Sequence, residues 1–224
     1  MIIILGRSGG LGGGLINYLD SHPEFASTYG ERLSTNRENL DIEDENSVIN
    51  FCKQLENKLK PSESIYLINA IGVSINGFCH KMALDHFEKT IKVNLTGSFL
   101  LLKHLQPLFK EHPGSSIVFL SSVVGELGVA GTMAYSASKT ALRGLVRTGT
   151  KEFARSKATL NVIELGYFEK GMIDQISPDQ LKIILEQVPV NRLGTIEELF
   201  KACDFCLRNT FLTGSVIKLN GGMI

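Results

Sequence analysis

Short apolar runs alternate with longer amphipathic stretches along the whole chain. Residues 1–5 form a continuous apolar run, which is typical of a strand buried on both faces of a sheet. In residues 46–59, Val48, Cys52 and Leu55 recur at the spacing of one helix face. This pattern predicts strands at residues 1–5, 26–31, 64–70, 116–121, 159–165 and 215–219, and helices at 11–21, 46–59, 85–109, 134–155, 178–186 and 196–208.

The alternation of strand and helix predicts right-handed crossovers and a parallel sheet covered by helices on both faces. Neither a repeat nor a linker divides the chain. The sequence therefore predicts a single doubly wound, Rossmann-like α/β domain over residues 1–224. Such sheets bind ligands beyond the carboxyl ends of their strands. Residues 32–40 are polar and predict a loop.

Charge and length exclude several classes of function. The chain has 224 residues, with 23 basic and 23 acidic side chains, and no run of basic residues. It therefore offers no sign of a nucleic-acid groove or of binding to an anionic membrane. The apolar runs are shorter than the ~18 residues of a membrane span, and no charged leader precedes the first strand. We expect a soluble, cytoplasmic protein.

Cysteine and histidine spacing does not favour a metal site. Cys203 and Cys206 have the spacing of a redox or zinc pair, but both fall in the predicted helix 196–208. Without a second pair of ligands nearby, buried structural cysteines are the better interpretation. The five histidines show no metal-ligand spacing. We therefore predict no metal.

Glycines fill the turn between the first strand and the first helix. Small residues there let the backbone approach a pyrophosphate, whose charge is met by the helix N-terminus. A merely tight turn is the alternative, and the position after the first strand favours the phosphate cradle. Gly13 and Gly14 extend the run into the helix, and close packing against the sheet would explain them. The predicted cradle residues are Gly6, Arg7, Ser8, Gly10, Leu11 and Gly12.

A tyrosine and a lysine share one face of the predicted helix 134–155. Tyr135 and Lys139 stand four residues apart, and Ser122 lies thirteen residues before Tyr135 at the end of a strand. On its own such a pair is an ordinary packing contact. With the serine it predicts a site for proton transfer to a carbonyl or from an alcohol. Ser121 competes for the serine role, and the spacing to Tyr135 favours Ser122.

These residues belong to a series of five motifs that occur in a fixed order along the chain. They are Gly6-x-x-x-Gly10-x-Gly12, Asn69-Ala70-Ile71-Gly72, Asn94-Leu95-Thr96-Gly97, Ser121-Ser122-Val123-Val124-Gly125 and Tyr135-Ser136-Ala137-Ser138-Lys139. In this order and at these spacings the chain resembles the short-chain dehydrogenase/reductase family. Residues 189–194 and 213–223 resemble the tail of bacterial 3-oxoacyl-acyl-carrier-protein reductases.

The resemblance implies roles for four residues in hydride transfer with a nicotinamide cofactor. Tyr135 would be the general acid in reduction and the general base in oxidation. Lys139 would bind the nicotinamide ribose and lower the Tyr135 pKa electrostatically. Ser122 would hydrogen-bond the substrate oxygen, and Asn94 would hold a water that links Lys139 to solvent.

The resemblance also implies cofactor contacts beyond the glycine turn. Asp41 and Ile42 would contact the adenine. The 2′-position of the adenosine ribose is open, because Arg7, Arg32 and Arg37 favour NADP(H) whereas Glu31 would favour NAD(H). We expect NADP(H), with arginines on an ordinary solvated face as the alternative. The remaining predicted contacts are Asn69, Ala70, Gly72, Tyr135, Lys139, Gly166 and Phe168.

Two segments depart from the family pattern. Residues 32–40 leave little room for the helix that usually follows the second strand. The usual Pro-Gly is Leu165-Gly166, and the usual threonine is absent from residues 167–171. We expect a substrate lid within about residues 166–190, and its divergence leaves the substrate open.

The expected enzyme reduces a ketone to a secondary alcohol, or the reverse, with a 3-oxoacyl thioester as the nearest substrate. A sugar or secondary-metabolite ketone is an alternative, and a non-catalytic dinucleotide-binding regulator is another. Apolar residues on several faces of the helices at 85–109 and 134–155 are typical of a partner surface, unless they simply line the core of a monomer. The resemblance implies a homodimer or homotetramer built on such helices.

Overall fold

The computed structural model describes residues 1–175 and 177–224, without the side chains of Ala26, Asp174 and Gln175. The strands are β1 (Ile2–Leu5), β2 (Arg32–Thr35), β3 (Tyr66–Asn69), β4 (Ser116–Ser122), β5 (Thr159–Leu165) and β6 (Val216–Leu219). The α-helices are α1 (Gly10–Ser21), α2 (Phe25–Tyr29), α3 (Glu45–Glu56), α4 (Leu84–Ile91), α5 (Gly97–Glu111), α6 (Val124–Leu127), α7 (Met133–Phe153), α8 (Pro178–Glu186) and α9 (Ile196–Arg208).

The six strands form one parallel sheet in the order β2-β1-β3-β4-β5-β6, which confirms the α/β prediction. The order reverses direction at β1, because β2 pairs with one edge of β1 and β3 with the other. In such sheets the crevice beyond the carboxyl ends of these strands is the usual ligand site. The glycine turn begins at this point, directly after β1.

Alternate residues of the strands feed two apolar layers. Ile3 and Leu5 belong to the layer under α3, α5 and α7, whereas Ile2 and Ile4 belong to the layer under α1 and α9. Both layers are deeply buried, which explains why the strands appear in the sequence as continuous apolar runs. Cys203 and Cys206 lie in the second layer as buried free thiols, which agrees with the structural interpretation of this pair.

The strand prediction at residues 26–31 and the loop prediction at 32–40 are both wrong at the edge of the sheet. Residues 25–29 form α2, whose Tyr29 is buried between the rings of Tyr66 and Phe200. The strand comes later, as β2, and lacks an apolar run because it pairs only with β1. An edge strand with one polar side has a weak hydrophobic pattern, which explains the error.

A tight turn, and not a helix, follows β2, as the shortness of this segment predicts. The Leu40 N–H donates to the Asn36 carbonyl at 3.0 Å, and the Asn36 side chain accepts from the N–H groups of Glu38 and Asn39. Within the described part of the chain, β2 is therefore the last strand on this side of the sheet.

The predicted helix at residues 85–109 is interrupted. It consists of α4 and α5, joined by a π-helical turn at Lys92–Thr96. Its apolar residues serve mainly this chain's own core, since Leu100, Leu101 and Leu102 are all buried. The exposed Phe99 is the exception. The width of this apolar stripe therefore supports the monomer-core alternative as well as a partner surface. No helix in the described ranges combines the length and the hydropathy needed to cross a membrane.

Candidate active site

Tyr135 and Ser122 meet at the carboxyl edge of the sheet. Ser122 is the last residue of β4, and Tyr135 lies in the first turn of α7. The Ser122 hydroxyl lies beside the Tyr135 phenol, close enough to lower the pKa of the phenol. Tyr135 is buried, while Ser122 is partly open to solvent. The thirteen-residue spacing thus brings two hydroxyl groups to one point.

Ser121 faces the other way. It is buried under α7, where its hydroxyl donates to the Lys139 carbonyl at 3.0 Å. Successive strand residues point to opposite sides of a sheet, so only one of the two serines can reach Tyr135. The geometry agrees with the preference for Ser122 that the spacing gave.

Lys139 lies one turn after Tyr135, with its ammonium buried beneath the same edge. Its Nζ is 5.8 Å from the centre of the Tyr135 ring and donates to the Leu120 carbonyl at 2.8 Å. A methyl group at Gly72 would lie 3.0 Å from this Nζ and 3.5 Å from the Asn94 Oδ1. Glycine at position 72 therefore lets the chain after β3 pass close to both side chains.

The pKa values at the site move in directions that burial dictates. Burial raises the pKa of Tyr135 to about 12, and the neighbouring Ser122 hydroxyl acts in the opposite direction. Burial lowers the pKa of Lys139 to about 8. Both charged forms lose hydration here, so burial opposes the lowering of the Tyr135 pKa that the resemblance implies for Lys139.

Asn94 lies in the π-helical turn between α4 and α5. Its Nδ2 donates to the Val73 carbonyl and to the Ser138 hydroxyl, both at 2.9 Å, and its Oδ1 accepts from the Val73 N–H at 2.8 Å. Single π-helical turns are frequent at functional sites. The amide protons of Asn94 are used by the chain after β3 and by Ser138 of α7, so a water at this residue would have to donate to an oxygen of Asn94.

The glycine turn is built on close backbone contacts. Gly6 has a φ of 93° and lies against Ala70 and Ile71, where a methyl group would come within 3.1 Å. A methyl group at Gly12 would lie 2.3 Å from the Gly6 oxygen. Gly9, the residue before α1, has no side chain to cap the first N–H groups of the helix. These groups are left for an anion.

Gly10 contacts the segment that follows β5. A methyl group at Gly10 would lie 2.3 Å from the Gly171 nitrogen, so residues 170–171 rest on the first turn of α1. Leu11 also packs beside Gly171, whereas Arg7 and Ser8 are exposed at the tip of the turn. The start of the predicted lid thus touches the predicted cradle, a contact that the sequence did not reveal.

Gly14 is explained by helix packing. Its missing side chain makes room for Ile196 at the start of α9, whose Cδ1 would lie 2.6 Å from a methyl group. Gly13 lies against the Arg7 carbonyl at 2.9 Å by the same measure. The expected close packing therefore involves α9 and the glycine turn, not the sheet.

At the adenine end, the two predicted residues differ in exposure. Ile42 packs its side chain against Gly97 in the core, so only its backbone can face a cofactor. Asp41 is partly exposed and lies 3.5 Å from the Arg37 guanidinium. Asn69 is buried at the end of β3, with its side chain bonded to the Ile71 N–H and to Ser98.

Arg32 does not lie where a cofactor contact requires. It is the first residue of β2, opposite Ile2, whereas the carboxyl end of β2 is Thr35, opposite Leu5. Its Nη1 donates to the Leu19 carbonyl at 2.5 Å and to the Asp20 carboxylate at 3.2 Å. The prediction that Arg32 contacts the cofactor is therefore opposed by the structure. The error follows from placing the second strand several residues too early.

Sequence reasoning missed Thr35 as a residue of this crevice. Its carbonyl accepts from the Gly6 and Arg7 N–H groups, at 3.2 and 2.8 Å. Its buried hydroxyl has no partner among the described residues. Arg37 follows two residues later, largely exposed, beside Asp41 and Glu43. The correct position of β2 would have pointed to these residues.

On the nicotinamide side, Gly166 packs against the backbone of Asn220, where a methyl group would lie 2.8 Å from its Cα. Phe168 is turned inward and stacks on Gly194, so its side chain is part of the core. After it come a 3₁₀ turn at Met172–Gln175 and α8, which begins with a capping box at Ser177 and has no buried residue. The region of the predicted lid thus includes a helix that stands away from the core.

A glycine turn at the switch point of a parallel sheet, with serine, tyrosine and lysine at the same edge, is typical of a dinucleotide-dependent oxidoreductase. Comparison with known proteins agrees. Residues 16–224 match the family model described as enoyl-(acyl carrier protein) reductase.

Two curated relatives are 3-oxoacyl-[acyl-carrier-protein] reductases. The FabG protein of Buchnera aphidicola subsp. Schizaphis graminum is 33% identical over 82% of this chain and 75% of the relative. The human protein is 32% identical over 82% of this chain and 75% of the relative. A solved short-chain type dehydrogenase/reductase from Mycobacterium ulcerans has a TM-score of 0.85 at 19% identity, covering 99% of this chain and 88% of that one.

The chain belongs to the short-chain dehydrogenase/reductase family. It is an oxidoreductase, and NAD(P) dependence is general in this family. The resemblance inferred from the motifs is confirmed.

Proposed function

We propose that this enzyme reduces the ketone of a 3-oxoacyl thioester to a secondary alcohol, in the cytoplasm, with a nicotinamide cofactor. The observation that carries the proposal is the proximity of the Ser122 and Tyr135 hydroxyl groups at the carboxyl edge of the sheet. Two hydroxyl groups that converge at one point can both donate to a single carbonyl oxygen. The names of the curated relatives support the substrate class.

A nicotinamide cofactor held by these residues would supply the hydride that the carbonyl carbon accepts. Tyr135 donates its proton to the carbonyl oxygen as negative charge develops there. Ser122 stabilises the same charge by a hydrogen bond that strengthens in the transition state. Lys139, a cation one turn away, favours the tyrosinate that is left and binds the cofactor ribose. Asn94 holds the chain after β3 in place. It also holds the water that links Lys139 to solvent, through which the proton is replaced.

The residues present fit a dinucleotide. Methyl groups at Gly6 and Gly12 would crowd the backbone at Ala70 and at Gly6, so glycines keep the turn in this close-packed shape, and the first N–H groups of α1 lack a side-chain cap. We propose that Gly6, Arg7, Ser8, Gly10, Leu11 and Gly12 hold the pyrophosphate, that Asn69, Ala70 and Gly72 lie along the riboses, and that Gly166 lies near the nicotinamide. Phe168 helps to fix the segment around Gly166, because its ring is buried in the core.

We further propose that NADP(H) is preferred, through Arg7 and Arg37 in place of Arg32. Arg7 is exposed in the glycine turn, and its N–H donates to the Thr35 carbonyl at the carboxyl end of β2. Arg37 lies two residues beyond that end. Two guanidinium groups here suit the 2′-phosphate, which Arg recognises well. Asp41 and the Ile42 backbone would contact the adenine.

A second candidate is reduction of an enoyl thioester, which the description of the family model names. In that reaction the double bond between two carbons is reduced, and the thioester oxygen would accept the hydrogen bonds. Sugar or secondary-metabolite ketones form a third class, because the lid region diverges from the family pattern. A regulator without turnover would need none of Ser122, Tyr135 and Lys139.

A homodimer or homotetramer is also proposed, with the exposed Phe99 in its interface.

The test is a panel of substrates with purified enzyme. Oxidation of NADPH and NADH is followed with acetoacetyl thioesters, 2-enoyl thioesters and simple sugar ketones. We expect turnover with the 3-oxoacyl thioesters at least tenfold faster than with the others. Faster turnover of the 2-enoyl thioesters would replace the proposal by its second candidate. Tight cofactor binding with no turnover of any substrate would support a regulator.

A further inference from the structure

A carboxylate is buried in the sheet beside the proposed site. Glu164 of β5 is fully buried and lies in register between Ser121 of β4 and Lys218 of β6. Registered neighbours point to the same face, so all three side chains lie on the face covered by α7. A buried carboxylate is costly unless it is paired. Glu164 is therefore expected to have a role beyond filling space.

The partner of Glu164 is Arg143 of α7. The Arg143 guanidinium donates from Nη2 to the Glu164 carboxylate and also to the Glu126 carboxylate of α6. Lys218 Nζ donates to the other oxygen of Glu126 at 2.9 Å. Glu164 Oε1 and Arg143 Nε have no further partner among the described residues. One arginine thus links the strand β5, the helix α7 and the short helix α6.

Two other side chains join α6 to α7. The Ser136 hydroxyl donates to the Val124 carbonyl at 3.2 Å, and the Thr140 hydroxyl donates to the Gly125 carbonyl at 3.3 Å. With Arg143, these residues occupy positions i, i+4 and i+7, which lie in one stripe along a helix. We name these three residues, together with Glu126 and Glu164, the α6 clasp.

The α6 clasp lies next to both halves of the proton-transfer site. Ser136 and Thr140 directly follow Tyr135 and Lys139 in the sequence, so the clasp stripe borders the proposed catalytic stripe of α7. The helix α6 begins two residues after Ser122, and the Ser122 hydroxyl accepts a hydrogen bond from the Val124 N–H at 3.3 Å. A shift of α6 along α7 would therefore move Ser122 relative to Tyr135.

We propose that Arg143 is a positioning residue, which through Glu126 and Glu164 holds α6 against α7 and so sets the position of the Ser122 hydroxyl relative to Tyr135. The inference rests on the proposed function for its effect on turnover. Its structural part, the anchoring of residues 122–128, does not depend on any substrate.

The test uses the variant Glu126→Gln, which loosens the α6 end and leaves the buried Arg143–Glu164 pair intact. Arg143→Met is the stronger change, but it leaves Glu164 buried without a partner and should destabilise the fold. Arg143→Lys keeps a cation at this position. The matched control is Arg147→Gln, one turn further along α7, where the side chain is exposed and lies outside the clasp.

For Glu126→Gln we expect kcat to fall about tenfold, because small misplacements of reacting groups are costly. The Kd for NADPH should stay within twofold, and amide hydrogen exchange of residues 122–128 should accelerate. Arg143→Lys should recover part of the kcat that Arg143→Met loses. Arg147→Gln should match the wild type in all three measurements.

Unchanged exchange at residues 122–128 in Glu126→Gln would overturn the proposal, and so would wild-type kcat in a folded Arg143→Met. Wild-type enzyme that turns over no substrate would instead contradict the proposed function. In that case the exchange data alone decide the clasp: faster exchange in Glu126→Gln but not in Arg147→Gln supports it.

Discussion

The Ser122 hydroxyl at the end of β4 lies beside the Tyr135 phenol in the first turn of α7 and lowers the pKa of that phenol. The neighbouring Ser121 has an opposite task, since it is buried and holds the Lys139 carbonyl. Two adjacent serines therefore divide their roles by the alternation of a strand. One faces the proposed substrate position, and the other secures the helix that carries Tyr135 and Lys139.

Replacing Ser122 by alanine should lower kcat by about 10²–10³, the usual cost of one donor to a developing oxyanion. The Kd for NADPH should not change, because this hydroxyl is not assigned to the cofactor. Steady-state kinetics and fluorescence titration measure the two quantities. Ser121→Ala is the control, for which we expect a loss of stability larger than its loss in kcat. Equal kcat losses in both variants would contradict the division of roles.

Lys139→Met should change stability in a pH-dependent way. Burial holds the pKa of Lys139 at about 8, below its ordinary 10.5. Between these values the unfolded chain binds more protons, so wild-type stability rises with pH in this window. Below pH 8 the buried ammonium costs about 3 kcal/mol, at ~1.4 kcal/mol per pKa unit.

The variant lacks this group, so its free energy of unfolding relative to that of the wild type should fall as the pH rises from 8 to 10.5. The Leu120 carbonyl loses its donor in the variant, but that cost does not depend on pH. Urea unfolding at several pH values measures the difference. A difference that stays constant across this window would show that Lys139 is not desolvated in the folded protein.

Arg37→Ala should raise the KM for NADPH about tenfold or more while changing the KM for NADH little, because only NADPH carries the 2′-phosphate. Arg7→Ala should act in the same direction. Arg32→Ala serves as the control: its guanidinium is held at the opposite end of β2 by Leu19 and Asp20, so the ratio of the two KM values should not change. A larger effect at Arg32 than at Arg37 would contradict the placement of β2.

Gly12→Ala should abolish tight cofactor binding and destabilise the protein, because the added methyl group would lie 2.3 Å from the Gly6 carbonyl oxygen. The backbone of the glycine turn would have to move. The matched control is Gly144→Ala in α7, where no atom lies within 4 Å of the new methyl group. That change should stabilise the protein by about 0.5–1 kcal/mol. Thermal unfolding with and without NADPH compares the two, and normal binding by Gly12→Ala would oppose the cradle.

The sequence predicted the central strands and the catalytic motifs because both follow strong local rules. Strands buried on two faces are continuous apolar runs, and Tyr135 and Lys139 lie on one helical face by spacing alone. The edge of the sheet could not be predicted in this way. At β2 the apolar pattern is absent, so the strand was placed over α2 and Arg32 was assigned to the wrong end of it.

Long-range contacts were also beyond the sequence. The contact of residues 170–171 with Gly10, the π-helical turn around Asn94 and the pairing of Arg143 with Glu164 join segments far apart in the chain. Periodicity in a single sequence reports on neighbouring residues, so it does not reveal contacts between distant segments. The raised pKa of Tyr135 is a further case, because spacing suggested a favourable lysine whereas burial decides the direction.

The most direct test of the proposed mechanism is the turnover of Tyr135→Phe with NADPH and an acetoacetyl thioester. This variant keeps the ring that packs beneath Ser122 and removes only the hydroxyl that would supply the proton. We expect kcat to fall by at least 10², within the range of general acid catalysis, with the Kd for NADPH unchanged within about twofold. A folded Tyr135→Phe variant with wild-type kcat would contradict the role of Tyr135 and, with it, the proposed proton transfer.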